Sequence, residues 1–240
     1  MSLPVLVLLA GWGVPATVWT PVAAALQTRF RVINLDLLSQ PPGCSSLEEY
    51  IRGLESRIPE KAVWLGWSLG GMVAARLAEA YPDRVSRLLL VAANACFVRQ
   101  PDYRTAMPEA DFQSFRQDFA HAPSQAWQRF LSLQCLGAAT AKADRRQLLA
   151  MCGEKLPAAA DWLDIQLGWL EHEDVRTMLE SLACPVAWLG GAEDLLIPIA
   201  AGPAICPDNT VFEASAHLPF LSEPERFKQW ICSRAAGQTS

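Results

Sequence analysis

Four short apolar runs in the first hundred residues constrain the fold of this chain more than any other feature. They occupy residues 4–9, 30–35, 62–65 and 87–92, and helix-like segments separate them at residues 17–28, 46–57 and 72–80. Apolarity that is continuous rather than alternating is typical of strands buried on both faces, as in a parallel sheet. This strand–helix alternation predicts an α/β fold with a doubly wound, mostly parallel sheet.

The pattern changes after residue 97. Residues 98–182 carry only helical signals, after which strands are predicted at residues 185–189 and 210–212 and a closing helix at residues 219–233. Folds of this kind bind ligands at the carboxyl edge of the sheet. We therefore predict a core formed by residues 1–97 and 183–240, with residues 98–182 inserted as an all-helical cap over that edge.

Charge and cysteine content exclude several classes of protein. The chain has 20 Lys+Arg against 25 Asp+Glu, a net charge of −5, so it lacks the basic excess of a nucleic-acid-binding protein. No apolar run approaches the ~20 residues of a membrane-spanning helix, and no basic residue precedes the apolar start as in a signal peptide. The 7 cysteines are scattered and lack a C-x-x-C pair, which fits neither a disulfide framework nor a zinc site. We expect a cytoplasmic monomer without nucleic-acid or membrane partners.

A turn centred on a serine is the strongest chemical signal. Residues 66–71 read Gly-Trp-Ser-Leu-Gly-Gly, directly after the third predicted strand and before the third predicted helix. In that context G-x-S-x-G is typical of a nucleophile elbow, a sharp turn that strains the serine backbone and exposes its hydroxyl above the sheet edge. We predict Ser68 as a nucleophile; the alternative is a glycine-rich turn with an incidental serine.

A serine nucleophile needs a base, and histidine is the usual one near neutral pH. His121 lies in the predicted cap, and His172 lies in an acidic stretch typical of a solvated helix face. His217 follows the last predicted strand, on a loop at the carboxyl edge of the sheet. We therefore predict His217 as the base.

The base in turn needs an orienting carboxylate. Asp194 follows the fifth predicted strand at the same edge, and its neighbour Glu193 is the rival. The shorter side chain favours Asp194, and the order Ser68, Asp194, His217 is that of α/β-hydrolases. Acyl transfer also requires donors for an oxyanion, for which we predict the backbone N–H groups of Trp12 and Leu69.

The loop that carries Trp12 has a second interpretation. Residues 11–16 match G-x-G-x-x-A after a strand, and Asp36 follows about twenty residues later, as in a dinucleotide site. Pro15 lacks the N–H that would hold phosphate, and the next helix is predicted to start near Thr17. A dinucleotide-binding oxidoreductase therefore stays a remote alternative, and it leaves the serine turn unexplained.

Over nearly its whole length the chain resembles α/β-hydrolases, and more narrowly the pimeloyl-[acyl-carrier protein] methyl ester esterases of biotin synthesis. The supporting stretches are residues 8–13, 65–71, 91–97 and 129–134. Ala10 stands where the family usually has histidine, which leaves a backbone oxyanion donor unaffected. The chain opens at the loop-bearing strand, so we expect a sheet without the leading antiparallel hairpin of the fold.

The resemblance implies a serine carboxylesterase that hydrolyses the methyl ester of a medium-chain acyl group, with no metal or organic cofactor. Another capped hydrolase (a general esterase, thioesterase, peptidase or C–C hydrolase) and a non-catalytic binding protein of the same fold are the alternatives. The substrate-contacting residues that the resemblance implies are Trp12, Ser68, Leu69, Phe130, Leu131, Ser132, Leu133, Gln134 and His217.

Two further expectations concern the predicted cap. We expect an apolar channel lined by Trp12, Phe97, Phe130 and Leu133, with Phe112, Phe115 and Trp127 as further candidates. Residues 121–150 carry four basic side chains against Asp144 alone. With the resemblance, Arg129, Lys142 and Arg146 are predicted to steer an acidic acyl-carrier protein, although an ordinary solvated helix face explains the same charges.

Overall fold

The computed structural model describes residues 3–236. Its six strands form one sheet in which every neighbouring pair is parallel, in the order β2-β1-β3-β4-β5-β6. The strands are β1 (Val5–Leu9), β2 (Arg31–Leu35), β3 (Ala62–Trp67), β4 (Val85–Val91), β5 (Val186–Gly191) and β6 (Asn209–Phe212). The predicted α/β fold is thus confirmed, and the described residues contain no antiparallel hairpin in the sheet.

Burial explains the continuous apolar runs. All six residues of β3 and four of the five in β1 are buried, because these strands lie inside the sheet with helices against it. The strand order reverses between β1 and β3, and the crevice at such a switch point is where open α/β sheets bind ligands. The loop after β1 and the turn after β3 therefore meet at one place.

Helices connect the strands. They are α1 (Thr20–Leu26), α2 (Leu47–Gly53), α3 (Leu69–Ala80), α4 (Glu109–His121), α5 (Pro123–Leu133), α6 (Ala141–Cys152), α7 (Ala160–His172), α8 (Arg176–Ser181), α9 (Ala201–Ile205), α10 (Pro219–Ser222) and α11 (Pro224–Ala235). The longest have 13 residues. Within residues 3–236, no helix has the length and apolar character that crossing a membrane requires.

Three predicted helices differ from the structure in extent. Short 3-10 turns, Ala16–Trp19 and Glu55–Arg57, replace the ends of the predicted helices at residues 17–28 and 46–57. The predicted closing helix at residues 219–233 is wrong as a single element, because it breaks between α10 and α11. Pro224 begins α11, and proline lacks the N–H that would continue a helix through that position.

The segment between β4 and β5 contributes α4 to α8. Residues 98–107 precede these helices and form two isolated β-bridges, so this segment is not helical throughout. Indole groups attach it to the loops of the sheet: Trp127 Nε1 donates to the carbonyl of Gly13 at 2.8 Å, and Trp162 Nε1 donates to that of Leu37 at 2.9 Å. Its assignment as a separate cap stays a prediction.

Candidate active site

The turn between β3 and α3 holds Ser68 in a strained conformation. The φ angle of Ser68 is 55°, a left-handed value that costs a residue with a side chain about 1–3 kcal/mol. A Cβ on Gly66 would lie 2.2 Å from the carbonyl oxygen of Gly70, and one on Gly70 would lie 2.6 Å from that of Ala10. The glycines of the motif are therefore required by close backbone approach between β3, α3 and the end of β1.

His217 and Asp194 form a buried pair. His217 Nδ1 lies 2.8 Å from Asp194 Oδ2, and the two side chains are 1% and 0% exposed. The other carboxylate oxygen accepts hydrogen bonds from the backbone N–H groups of Leu196 at 2.8 Å and Ile197 at 3.1 Å. An ionised carboxylate only accepts, so Nδ1 carries the proton and Nε2 is left as the acceptor. The rival Glu193 is exposed and makes no hydrogen bond to the ring.

Two hydrogen bonds hold the histidine loop, one from the serine turn and one to the segment after α5. Trp67, the neighbour of Ser68, donates from Nε1 to the backbone carbonyl of His217 at 2.9 Å, and their rings lie 5.6 Å apart. The backbone N–H of His217 donates to the carbonyl of Gln134 at 3.2 Å. Among the described residues, no group hydrogen-bonds to the buried Nε2, Ser68 Oγ included. Without substrate, hydrogen bonds between a nucleophile and its base are often longer than in the reacting complex.

The predicted oxyanion donors lie beside the same serine. A Cβ on Gly11 would lie 3.2 Å from the Cβ of Ser68, so the loop after β1 packs directly on the turn. Within residues 3–236, the backbone N–H groups of Trp12 and Leu69 donate to no protein acceptor. Leu69 is also the first residue of α3, where the helix dipole favours negative charge. Both groups are thus free to bind an oxyanion.

The dinucleotide interpretation of the same loop gains no support. A 3-10 turn follows Pro15, and α1 begins only at Thr20, so no α-helix N-terminus faces the loop. The carboxylate of Asp36 accepts a hydrogen bond from the backbone of Leu38, as in a local turn. The remaining histidines, His121 and His172, are exposed on α4 and α7.

An apolar cavity of about 240 Å³ lies between the loop after β1 and the helices α4, α5 and α7. The four residues predicted to line a channel all line it, as do Phe112 and Phe115 of the three further candidates; Trp127 does not line it. The complete lining is Trp12, Phe97, Met107, Asp111, Phe112, Phe115, Phe130, Leu133, Leu167, Leu170, Leu195 and Leu196.

Trp12 and Leu196 join the cavity to the buried pair and the serine turn. The Trp12 ring packs edge-on against Phe115 and Phe130 at centroid distances of 5.6 and 5.2 Å, while its backbone belongs to the oxyanion loop. Leu196 lines the cavity, and its N–H holds the carboxylate of Asp194. Ser68 and His217 are not lining residues, so the cavity begins beside them rather than around them.

Comparison with known proteins identifies the family to which this architecture belongs. Residues 6–230 match the sequence model of the alpha/beta hydrolase family. The chain belongs to that family. It is 35% identical to the pimeloyl-[acyl-carrier protein] methyl ester esterase of Pectobacterium carotovorum, over 96% of this chain and 93% of that protein. It is 38% identical to the enzyme of the same name from Sodalis glossinidius, over 95% and 91%. The resemblance predicted from the motifs is confirmed.

A solved structure supports the fold. An esterase from Exiguobacterium antarcticum superposes on this hydrolase with a TM-score of 0.83, over 97% of this chain and 91% of that one. Its sequence is 18% identical, so this likeness concerns the fold alone.

The structure separates the five consecutive residues implied as substrate contacts. Phe130 and Leu133 line the cavity, whereas Leu131 is fully buried in the core. The hydroxyl of Ser132 accepts a hydrogen bond from Arg145 on α6. Gln134 is buried, and its backbone carbonyl holds the loop of His217. Substrate contact by these residues stays a prediction.

An open groove continues the cavity past Phe130 and Leu133, and two basic residues line it. Arg129 and Arg145 line the groove, and Arg129 also pairs with Asp118 at 2.9 Å. The other two predicted docking residues do not line it, although both are exposed on α6: Lys142 and Arg146.

Asp144 reinforces the positive character of this face. Its carboxylate is buried and accepts hydrogen bonds from the hydroxyls of Thr140 and Ser222, each at 2.7 Å. The one acidic side chain between residues 121 and 150 is therefore turned inward, and the outer face of α6 presents cations. The bond to Ser222 also links α6 to α10, shortly after His217.

Sequence reasoning missed the contacts that run through backbone atoms. The segment after α5 reaches both loops of the buried pair: Ala139 donates to the carbonyl of Ala214, and a Cβ on Gly137 would lie 2.7 Å from the carbonyl oxygen of Glu193. Any residue type supplies a carbonyl, so no motif marks such contacts. Only the positive φ of Gly137, 96°, has a sequence signal, the glycine itself.

Proposed function

We propose that this hydrolase is a serine carboxylesterase that cleaves the methyl ester of a medium-chain acyl group bound to an acyl-carrier protein, the pimeloyl ester of biotin synthesis. One observation carries the proposal: a strained serine turn, a buried His–Asp pair and two unpaired backbone donors lie together beside an apolar cavity. The names of the relatives at 35–38% identity agree with it. The seven free cysteines suit a cytoplasmic location.

In the proposed reaction, Ser68 Oγ attacks the ester carbonyl while His217 Nε2 takes its proton. Asp194 stabilises the imidazolium, and the N–H groups of Trp12 and Leu69 bind the tetrahedral oxyanion. His217 then protonates the departing methoxide, which leaves as methanol, and an acyl-serine remains. A water molecule deprotonated by His217 attacks that acyl group and releases the carboxylic acid, which restores Ser68.

Cavity and groove together suit an acyl chain that is carried by a larger molecule. The cavity is smaller than the ~300–1,000 Å³ of pockets that enclose drug-sized ligands, and its wall is almost entirely apolar, which suits an acyl chain of medium length. The groove continues it to a surface lined by Arg129 and Arg145. An acidic carrier protein is attracted to such a face before it docks.

The deciding experiment measures hydrolysis of methyl esters, thioesters and peptides by the wild type and by Ser68→Ala. We expect methyl esters to be the best substrates and Ser68→Ala to lose about four to six orders of magnitude in kcat. A fluorophosphonate should label the wild type at Ser68 and should fail on His217→Ala. Ser124→Ala, a change at an exposed position of α5, serves as the control. Wild-type activity in Ser68→Ala contradicts the proposal, and faster cleavage of thioesters favours the thioesterase alternative.

Carrier docking is tested by reversing charge at Arg129, Lys142 and Arg146 together. We expect kcat/KM for a carrier-bound methyl ester to fall about tenfold or more, and to fall further as salt rises, with little change for a small ester. Arg29→Glu serves as the control, because it reverses an exposed charge in the turn between α1 and β2, away from this groove. An equal response of both esters means that these residues only solvate the helix surface.

A further inference from the structure

One charged side chain interrupts the apolar wall of the cavity. Among its twelve lining residues, Asp111 on α4 alone carries a charge, and the other eleven are aliphatic, aromatic or methionine. Asp111 is exposed, whereas Trp12 and Leu196, beside the buried pair, are 1% and 3% exposed. The carboxylate therefore lies at the solvent side of the cavity.

No cation neutralises this carboxylate within the part of the chain that the structure describes. Asp111 takes part in no ion pair or side-chain hydrogen bond there. Arg116, one turn further along α4, is held by Asp164 and Glu171, and Arg129 is held by Asp118. Arg129 also lines the groove rather than the cavity. The negative charge of Asp111 thus acts on whatever occupies the cavity.

We propose that Asp111 is a specificity residue that rejects esters whose acyl chain ends in a free carboxylate. This inference rests on the proposed function: with the ester carbonyl at Ser68, the far end of a dicarboxylic acyl chain extends through the cavity toward Asp111. Two like charges about 7 Å apart, at an effective dielectric constant of about 40, repel enough to lower binding roughly tenfold. A distal carbon masked as a thioester or ester carries no charge and avoids that repulsion.

A matched pair of small esters isolates the distal charge. Dimethyl pimelate and monomethyl pimelate have the same acyl chain and differ in whether its far end is an ester or a carboxylate. In the wild type we expect kcat/KM to favour the diester about tenfold or more at low salt. Asp111→Asn should raise kcat/KM for the monoester several-fold and leave the diester within about twofold. Glu109→Gln removes the same charge two residues away, outside the cavity lining, and should leave the ratio unchanged.

Ionic strength gives an independent measurement. Raising salt from about 0.05 M to about 0.5 M should narrow the preference of the wild type and have little effect on that of Asp111→Asn, because exposed charges are screened. The diester rate reports folding of each variant, and Asp111→Ser provides a second neutral variant.

Two outcomes overturn the role of Asp111 and leave the proposed esterase activity intact. One is equal cleavage of both esters by the wild type. The other is an unchanged ratio in both variants with normal diester cleavage. Cleavage of neither ester by the wild type overturns the proposed function itself and this inference with it.

Discussion

The serine turn and the wall of the cavity face the same edge of the sheet, but different forces hold them in place. Around Ser68 the contacts are between backbone atoms, and a single methyl group on Gly66 or Gly70 has no room. In the wall the contacts are between side chains, with the rings of Phe115 and Phe130 packed against Trp12 at 5.6 and 5.2 Å. The turn therefore requires glycines, which have no side chain, whereas the wall depends on the side chains that pack in it.

This difference separates the reaction from the choice of substrate. Backbone atoms set the position of the nucleophile and of the oxyanion donors, so few substitutions preserve them. Side chains on α4 and α5 set the shape and charge of the cavity, and apolar side chains exchange for one another at modest cost when volume is kept. The wall is therefore the part of the molecule in which specificity can change while the chemistry stays the same.

Among the variants that compare turn and wall, the largest effect is expected at Asp194, whose Oδ2 contacts the base while two backbone N–H groups hold its Oδ1. Asp194→Asn should keep the fold and lower kcat about ten-thousand-fold, because an amide no longer enforces the required imidazole tautomer. Steady-state kinetics and circular dichroism measure both. Glu193→Gln, at the exposed neighbour, should stay within about twofold of the wild type. A comparable loss in Glu193→Gln would show that the neighbour, not Asp194, supports the base.

Substitution of the turn glycines should destabilise the fold so strongly that an effect on catalysis is not reached. Gly66→Ala places a Cβ 2.2 Å from the carbonyl oxygen of Gly70, so we expect a loss of more than about 4 kcal/mol, seen as insolubility or a large fall in Tm. Gly168→Ala is the matched control, since a Cβ there meets nothing within 4 Å. Because Gly168 lies inside α7, alanine should stabilise the protein by about 0.5–1 kcal/mol. Equal stability of the two variants would mean that close backbone approach does not specify the turn.

Phe130→Ala tests the wall itself. Removing the ring opens the cavity beside Trp12, and we expect KM for a methyl ester of six or seven carbons to rise about tenfold while KM for an acetate ester changes little. The ratio of the two KM values is the measurement, since a purely structural defect lowers activity on both substrates. If both values rise equally, Phe130 supports packing rather than the acyl chain.

The sequence predicts the features that have a local signal and misses those that depend on tertiary contacts. All six strands and the serine turn carry local signals, namely continuous apolar runs and fixed glycines, and the structure has each of them in place. The pairing of His217 with Asp194 follows from their positions after adjacent strands. The backbone bond from His217 to Gln134 and the burial of Asp144 depend on tertiary contacts between segments far apart in sequence, for which no local pattern exists.

The smallest expected effect concerns two buried thiols, Cys135 just after α5 and Cys152 at the end of α6. Burial raises the pKa of both Cys135 and Cys152 to about 12, and nearby Asp144 adds to the effect at Cys135. The folded state therefore keeps both thiols protonated, while in the unfolded state they ionise near the ordinary pKa of about 8.5. Stability from these thiols is complete below that value and is lost as pH rises from about 8.5 toward 12.

Urea unfolding at about pH 8.5 and about pH 9.5 measures this loss. Each thiol should contribute a decrease of about 1 kcal/mol in the free energy of unfolding between the two pH values, and Cys135→Ala or Cys152→Ala should each remove one such share. Cys232→Ala, at a less buried position of α11, is the control and should leave the pH dependence unchanged. If neither buried variant flattens the dependence, water reaches these thiols in the folded state.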